Sequence, residues 1–490
     1  MVADRISIHD QFTVEFQLTY ENIFKDKRSQ YDTITYLFVP SGLNINPQTY
    51  TLAKFYNDVK VYIRYHASIY TLDDILNLKS GPLKQLKKSV QEVIQNPQNK
   101  KILKSYESQI KLLGAILNNT LQSELDQIIT ADSIYFQTIP FEYLDKLKSI
   151  LKTYRSLKHQ IDKAAVDTFT TSVIRYGDEY LSTVTSFHLI EIVDFYKKKG
   201  LKKDIFNSLL QLIKEEQNYR KSQAYDTELY NDLLDEKLLY NRSQLKKYIE
   251  SVLFLNREVR KDGTFIEQSV FAISAGLAMV FSTSIAFYYQ MVYGNFTLPF
   301  FIALVVSYML KDRIKWLTGL LFIQKASSFF YDYDIKIKDP HQNIIGRIKE
   351  NFIFVPLEKL GAKVKQHRFK DRFLASDDEL NGEQIIQYKK KIIIYPKRFG
   401  KELSDERLNS LLDITRINLQ RFTTQMDDPV KTYPLLKKGK IVTQTGNKNY
   451  HINIIQKIYT EQGIEFKRYR VVMNKLGIKR IEPVELDNLI

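Results

Sequence analysis

The most conspicuous feature in the hydrophobic pattern is a run with no charge at all. It begins after Glu267 and ends before Lys311, so residues 268–310 hold 43 positions without Asp, Glu, Lys or Arg. A soluble surface needs polar groups on at least one face, and one helix crossing the hydrocarbon needs about 20 apolar residues. The run fits two such helices and a turn. Gly294, Asn295 and Pro299 punctuate its middle, as a turn followed by a helix start would. The pattern predicts a two-helix transmembrane hairpin within 263–325, helix one over about 268–292 and helix two over about 297–310. Helix two is short before Lys311; a hairpin buried in a large soluble core is the first alternative, and a re-entrant hairpin a further, minor one. Ser274, Ala278, Ser282 and Ala286 recur every fourth residue along helix one. Such a stripe lets backbones approach closely. Packing against helix two comes first, and contact with another protomer second.

The flanks read differently. Residues 1–75 form a β-rich segment. Phe12, Val14, Phe16 and Leu18 alternate with polar neighbours, as do Val59, Val61, Ile63 and Tyr65. Residues 76–262 switch to a three- and four-residue spacing, the mark of a helical bundle or coiled coil. Gly81-Pro82 opens a helix with Leu83, Leu86, Val90 and Ile94 on one face, and Pro97 closes it. Leu103, Tyr106, Ile110, Leu113, Leu117, Leu121, Leu125 and Ile128 continue the pattern, then Leu147, Ile150, Tyr154, Leu157 and Ile161. A last helix over about 226–261 is expected to run towards the membrane as a stalk.

Residues 326–490 form a basic β-rich domain in this reading. Tyr333, Ile335 and Ile337 face one way, and Asp332, Asp334, Lys336 and Lys338 the other. Residues 389–395 are a strand. One helix follows, with Ser404 as N-cap and Leu403 stapled onto Leu408. Its buried face is Leu408, Leu411, Leu412, Thr415, Leu419 and Phe422, and Asp427-Asp428-Pro429 ends it. Strands over 450–459, 464–473 and 478–484 close the chain, turning near Gly463 and Gly477. The fold class is α+β, and the two β-rich ends are expected to pair, with the helices inserted between them.

Charge sharpens the picture. The chain carries a net +16, and residues 311–490 alone hold 35 Lys and Arg against 22 Asp and Glu. Clusters lie at 359–372, 389–391, 397–398, 437–440 and 467–470. Arg242, Lys246, Lys247, Arg257, Arg260 and Lys261 precede the hairpin; Lys311, Arg313, Lys315 and Lys325 follow it. The loop between the helices carries none. The positive-inside rule then places both flanks, and both termini, on the cytoplasmic side of a cell membrane. Lys311, Arg313, Lys315 and Trp316 are the candidate inner interface, with Tyr288 and Tyr289 (and Tyr293) in the outer aromatic belt. The partners implied are the bilayer, in particular anionic inner-leaflet lipids, and a protein partner or second copy. Nucleic acid ranks behind, because no recognisable module accompanies the charge.

Candidate chemistry is thin. The chain has no cysteine, which removes disulfides, thiolate nucleophiles and cysteine-based metal sites. Glycine is scarce, and neither GxxxxGK[ST] nor GxGxxG occurs. The opening residues lack the basic and apolar regions of a cleaved signal. His9, His66, His159, His188, His341, His367 and His451 are scattered without HxxxH or HExxH spacing. Asp332/Asp334 has the DxD spacing of a divalent-cation site, but alternation explains it as the wet face of a strand. Asp377-Asp378-Glu379 reads as a loop or helix start. No catalytic residue, metal site or cofactor is assigned. The leading expectation is a non-catalytic, membrane-anchored scaffold or regulator. A membrane-bound hydrolase or lipid-modifying enzyme with a site assembled from distant residues comes second. An oligomeric membrane-permeabilising effector comes third.

Overall fold

The computed structural model describes the chain apart from residues 1, 21–28, 78–79, 131–140, 165, 200–202, 226–231, 263, 296, 327–330, 340–341, 370–381, 397–407, 409, 438, 461–462 and 485–490. The chain starts with β1 (Val2–Ile8), β2 (Thr13–Tyr20), β3 (Ser29–Pro40), α1 (Leu52–Asp58) and β4 (Val59–His66). Helices follow: α2 (Leu72–Leu76), α3 (Pro82–Gln95), α4 (Lys100–Thr130), α5 (Phe141–Lys163), α6 (Thr168–Lys199), α7 (Lys203–Ser222) and α8 (Asp232–Glu250). Then come β5 (Asn256–Lys261), α9 (Thr264–Tyr293), α10 (Leu298–Ala326), β6 (Tyr333–Lys338), β7 (Ile344–Phe354) and α11 (Ala362–Phe369). The rest is β8 (Glu383–Ile394), β9 (Ser410–Asn418), β10 (Val430–Lys437), β11 (Lys440–Asn447), β12 (Tyr450–Thr460), β13 (Gly463–Asn474) and β14 (Gly477–Val484). The class is α+β, as the two periodicities require.

Two compact units divide the chain. One holds residues 1–62, 255–401 and 413–490; the other holds 63–254 and 402–412. The first unit is built on an eight-stranded sheet in the order β14-β13-β12-β3-β8-β7-β6-β5. Strand β3, from the N-terminal segment, lies between β8 and β12 and pairs antiparallel with both. The two β-rich ends of the sequence are therefore one sheet. A smaller sheet, β1-β2-β9-β4, supplies Val14, Phe16 and Leu18 to the core. Between the sheets Lys390 of β8 is ion-paired with Asp413 of β9, both buried. Nearby, Phe55 stacks on Phe352 with centroids 4.1 Å apart. Elsewhere in the unit, Val364 of α11 packs with Tyr36, Phe38 and Ile455. Glycines carry the closing turns, Gly463 at φ 134° and Gly477 at φ 116°, where a Cβ would be strained.

The second unit is a helical bundle around α4 and α6. The periodic residues Tyr106, Ile110, Leu113, Leu117 and Leu121 of α4 are buried, as are Leu147, Ile150, Tyr154, Leu157 and Ile161 of α5. Gly177 of α6 is required by contact: a Cβ there would lie 2.0 Å from the Tyr154 hydroxyl and 2.6 Å from Ile110.

Four expectations need correction. The two-helix transmembrane hairpin does not hold. Among the described residues only one helix, Gln268–Tyr293, is long and apolar enough to cross a membrane. Its partner α10 continues past residue 310 as one helix and carries Lys311, Asp312, Arg313 and Lys315 in its middle, so its charge-free part is too short. The helix expected over 404–422 is instead strand β9 and a 3-10 turn, Gln420–Thr423. Leu411, Leu412, Ile414 and Ile417 are all buried; a strand covered on both faces shows no period of two, so its leucines mimic helical spacing. Ser404 and Leu403 lie outside the described residues. The stalk helix stops at Glu250, and β5 occupies its end. That edge strand is exposed on both faces, which leaves no hydrophobic period to read. Finally, Asp334 is not on a wet face. It is buried and takes the Arg347 guanidinium from the neighbouring strand, Nε at 3.0 Å.

Candidate membrane-contacting site

The charge-free run becomes α9 and α10, packed against each other with Gly294 at the turn, φ 77°. The Thr297 hydroxyl donates to the Gly294 carbonyl at 3.4 Å, and the Gln290 amide donates to Asn295 at 2.8 Å. The roots of the pair are fixed by the large sheet. In the chain β5 precedes α9 and β6 follows α10, and the two strands pair antiparallel from Asn256↔Lys338 to Lys261↔Tyr333. Beyond that ladder the Asp262 N–H donates to the Asp332 carbonyl at 3.1 Å. Glu258 of β5 accepts Lys338 of β6 at 2.7 Å as well as Arg260. These two cations hold its carboxyl down at about 2. Both ends of the helical pair thus leave the same edge of the same sheet.

Small residues make the contact between the two helices. Ser274 and Ala278 of α9 are fully buried, as are Ser307 and, nearly, Ala303 of α10. The Ser282 hydroxyl donates to that of Ser307 at 3.3 Å, and Ser307 donates to the Leu304 carbonyl at 3.0 Å. A Cβ on Gly319 would touch the Phe271 ring at 3.2 Å. Ala286, nearer the turn, is half-buried. The outward faces are apolar and open: Val280, Phe287, Met291, Leu298, Phe301 and Met309 are each more than half exposed. Only 11% of the most apolar stretch of α9 is buried, whereas a core helix would be mostly buried.

The candidate interface residues sit on this pair. Tyr288 is exposed and packs edge-on to Tyr289, which stacks on Tyr293 at 5.6 Å. Lys311 lies over the Tyr308 ring, 3.8 Å from its centroid. Arg313, Lys315 and Trp316 are exposed. The contacts Ser282–Ser307 and Phe271–Gly319 set the antiparallel register. By that register Lys311 stands roughly level with Ala278, at about 1.5 Å per residue along each helix.

The residues considered for catalysis are dispersed. Asp332 accepts the Tyr56 hydroxyl at 2.9 Å and the Phe352 N–H at 2.6 Å; burial raises its carboxyl despite those bonds. Asp334 is spent on Arg347. His451 is exposed on β12, and partial desolvation and nearby Arg470 push its imidazole down. Among the described residues no group of three or more His, Asp or Glu is placed to hold a metal. His341 and Asp377-Asp378-Glu379 lie outside those residues. A cavity of about 530 Å³ in the first unit is lined by Asp58, Lys60, Arg416 and Arg421. There Arg421 donates to Asp58 at 3.1 Å and Arg416 to Glu15 at 2.6 Å.

One charged network had no sequence signal. In the helical unit Asp178 accepts Lys158 at 2.9 Å, the Tyr219 hydroxyl at 2.6 Å and the Tyr225 hydroxyl at 2.8 Å. Arg155 bridges it to Glu216, with bonds of 3.0 and 2.6 Å to that carboxylate. The partners come from three helices and the turn after the last, so no local spacing announces them. Each charge is matched by an opposite charge or hydroxyl, as a structural network requires. No known protein family, curated protein or solved structure matches this chain.

Proposed function

We propose that this protein is a non-catalytic membrane anchor and scaffold, held on the cytoplasmic face of a cell membrane by α9 and the first half of α10. The observation that carries this reading is an exposed helical pair, charge-free over residues 268–310, whose flanking strands are neighbours in one sheet. Because both ends return to one edge, the pair enters the bilayer turn-first from a single face. The charges of α10 set its depth. Each of Lys311, Asp312, Arg313 and Lys315 would cost about 2.5–3.5 kcal/mol at the bilayer centre. They therefore stay at the head groups, with Trp316 beside them. The 13 residues ahead of them reach about 20 Å at ~1.5 Å per residue, short of the ~30 Å hydrocarbon core. The cytoplasmic side follows from the flanking positive charge. The sheet-bearing unit then stands at the membrane surface, where partners can assemble on it.

Vesicle flotation of the full-length protein tests the anchor. The wild type is expected to float, and the pair Val280→Lys and Phe287→Lys to remain in the bottom fraction while keeping its circular dichroism. Equal flotation of both would remove α9 as the anchor. Insertion depth has its own readout, because the chain contains no cysteine. Asn295→Cys is expected to resist membrane-impermeant thiol reagents added from either side. Labelling from the far side would show that the turn emerges there and would overturn entry from one face.

A further inference from the structure

Strands β10 and β11 form a two-stranded sheet by themselves. Such a ribbon is marginal in water without a surface to pack on. Yet it is exposed along nearly its whole length, and Leu436 and Ile441 are 74% and 79% exposed. The register explains why this matters. Leu436 lies opposite Ile441, Pro434 opposite Thr443, Thr432 opposite Thr445 and Val430 opposite Asn447. Cross-strand partners share a face, so these eight residues make one face with no charge. The other face carries Lys431, Lys437 and Lys440 around Tyr433, Leu435 and Val442. Residues 430–447 contain no Asp or Glu.

We infer that this ribbon is a second membrane contact, lying flat on an anionic lipid surface. Leu436 and Ile441 enter the boundary between head groups and acyl chains, and the lysines reach the head-group phosphates. An element with an uncharged face, apolar at Leu436 and Ile441, and a cationic opposite face suits that interface, and each Lys near an anionic leaflet contributes on the order of 1 kcal/mol. A second copy of the ribbon would bring like charges together, and Pro434 removes a main-chain donor from β10, so strand addition is disfavoured. The inference rests on the membrane attachment proposed for α9, which brings the ribbon to the surface.

Single cysteines test it in the full-length chain. Ile441→Cys on the uncharged face, Gln444→Cys on the lysine face and Val280→Cys on α9 each receive an environment-sensitive fluorophore. Vesicles contain phosphatidylcholine alone or with phosphatidylserine, and carry nitroxide-labelled acyl chains as quencher. The label at 441 is expected to shift to the blue and be quenched when phosphatidylserine is present. The label at 444 stays solvent-like, and the label at 280 is quenched on both vesicles. Lys437→Glu with Lys440→Glu should abolish the response at 441 and leave that at 280. No response at 441 with quenching at 280 overturns the ribbon contact and leaves the α9 anchor standing. No quenching at 280 removes both. A blue shift at 441 without vesicles that grows with protein concentration means self-pairing, and also overturns the lipid contact.

Discussion

Helices α4 and α9 are nearly equal in length, 31 and 30 residues, and they meet their surroundings in opposite ways. In α4 the apolar residues form one stripe, buried among α3, α6 and α8, while Lys100, Lys101, Lys104 and Asp126 face water. In α9 apolar residues run all round, and among its described side chains only Ser274 and Ala278 of the small-residue stripe are buried, against α10. A helix with one apolar stripe is satisfied by neighbours in water; a helix that is apolar all round needs an apolar surrounding. The same difference separates their polar groups. The bundle tolerates a buried Asp178 because four partners converge on it, whereas in α9 the polar groups are single hydroxyls: Ser282 bonds across to Ser307, and Thr283 to the Met279 carbonyl at 2.9 Å.

This contrast can be broken at several points. The largest effect is expected in the bundle. Asp178→Asn leaves Lys158 and Arg155 short of a buried counter-charge and should cost about 3–5 kcal/mol in denaturant unfolding. Next, Leu117→Ala in α4 should cost about 2–5 kcal/mol. Val280→Ala in α9, measured in detergent, should stay within about 0.5 kcal/mol because its side chain is mostly exposed, at 63%. Comparable losses at the two positions would mean that α9 is a core helix after all.

A pH series sharpens the comparison further. Burial lowers the imidazole of His188 on α6 from its ordinary 6.5 to about 4, against the opposing pull of Asp126. His188 stays neutral in the fold beside Glu191, its Nδ1 3.5 Å from that carboxylate and without a hydrogen bond. The unfolded chain takes up the proton first. Stability is therefore full above about 6.5 and falls as the pH drops towards about 4. His188→Asn should flatten that slope in a series of thermal melts, and an unchanged slope would assign it to other groups. A modest effect, smaller than either bundle substitution, belongs to the capping box at the start of α2. There the Thr71 hydroxyl accepts the Asp74 N–H at 3.1 Å, and Asp74 answers to the Thr71 N–H at 3.2 Å. Thr71→Ala should cost about 1 kcal/mol.

Where the pattern was local, the sequence was readable. The opening of α3 at Pro82, the stripe of α4 and the turns at Gly463 and Gly477 follow from spacing and from the conformational freedom of glycine. Where neighbours decide, it was not. Asp334 looks solvated from alternation alone, and only the adjacent strand supplies Arg347. Strand β9 reads as a helix because both its faces are buried. Strand β5 has no readable pattern because water covers both its faces. Of the candidate site, residues 268–310 were visible at once, since absence of charge is a property of single residues. The depth to which the pair can enter a membrane was not, because it depends on which residue of α9 stands level with Lys311.

The sequence by itself determined the helical and β-rich segments, the apolar run and where along the chain the positive charge lies. Each of these is carried by residue type and near-neighbour spacing. Only the tertiary structure decided that the first strands and the last share one sheet, that β5 and β6 clamp both ends of the apolar pair to one edge, and that β10 and β11 stand exposed with one face free of charge. Those facts rest on hydrogen bonds between residues far apart in the chain, and no local period encodes them.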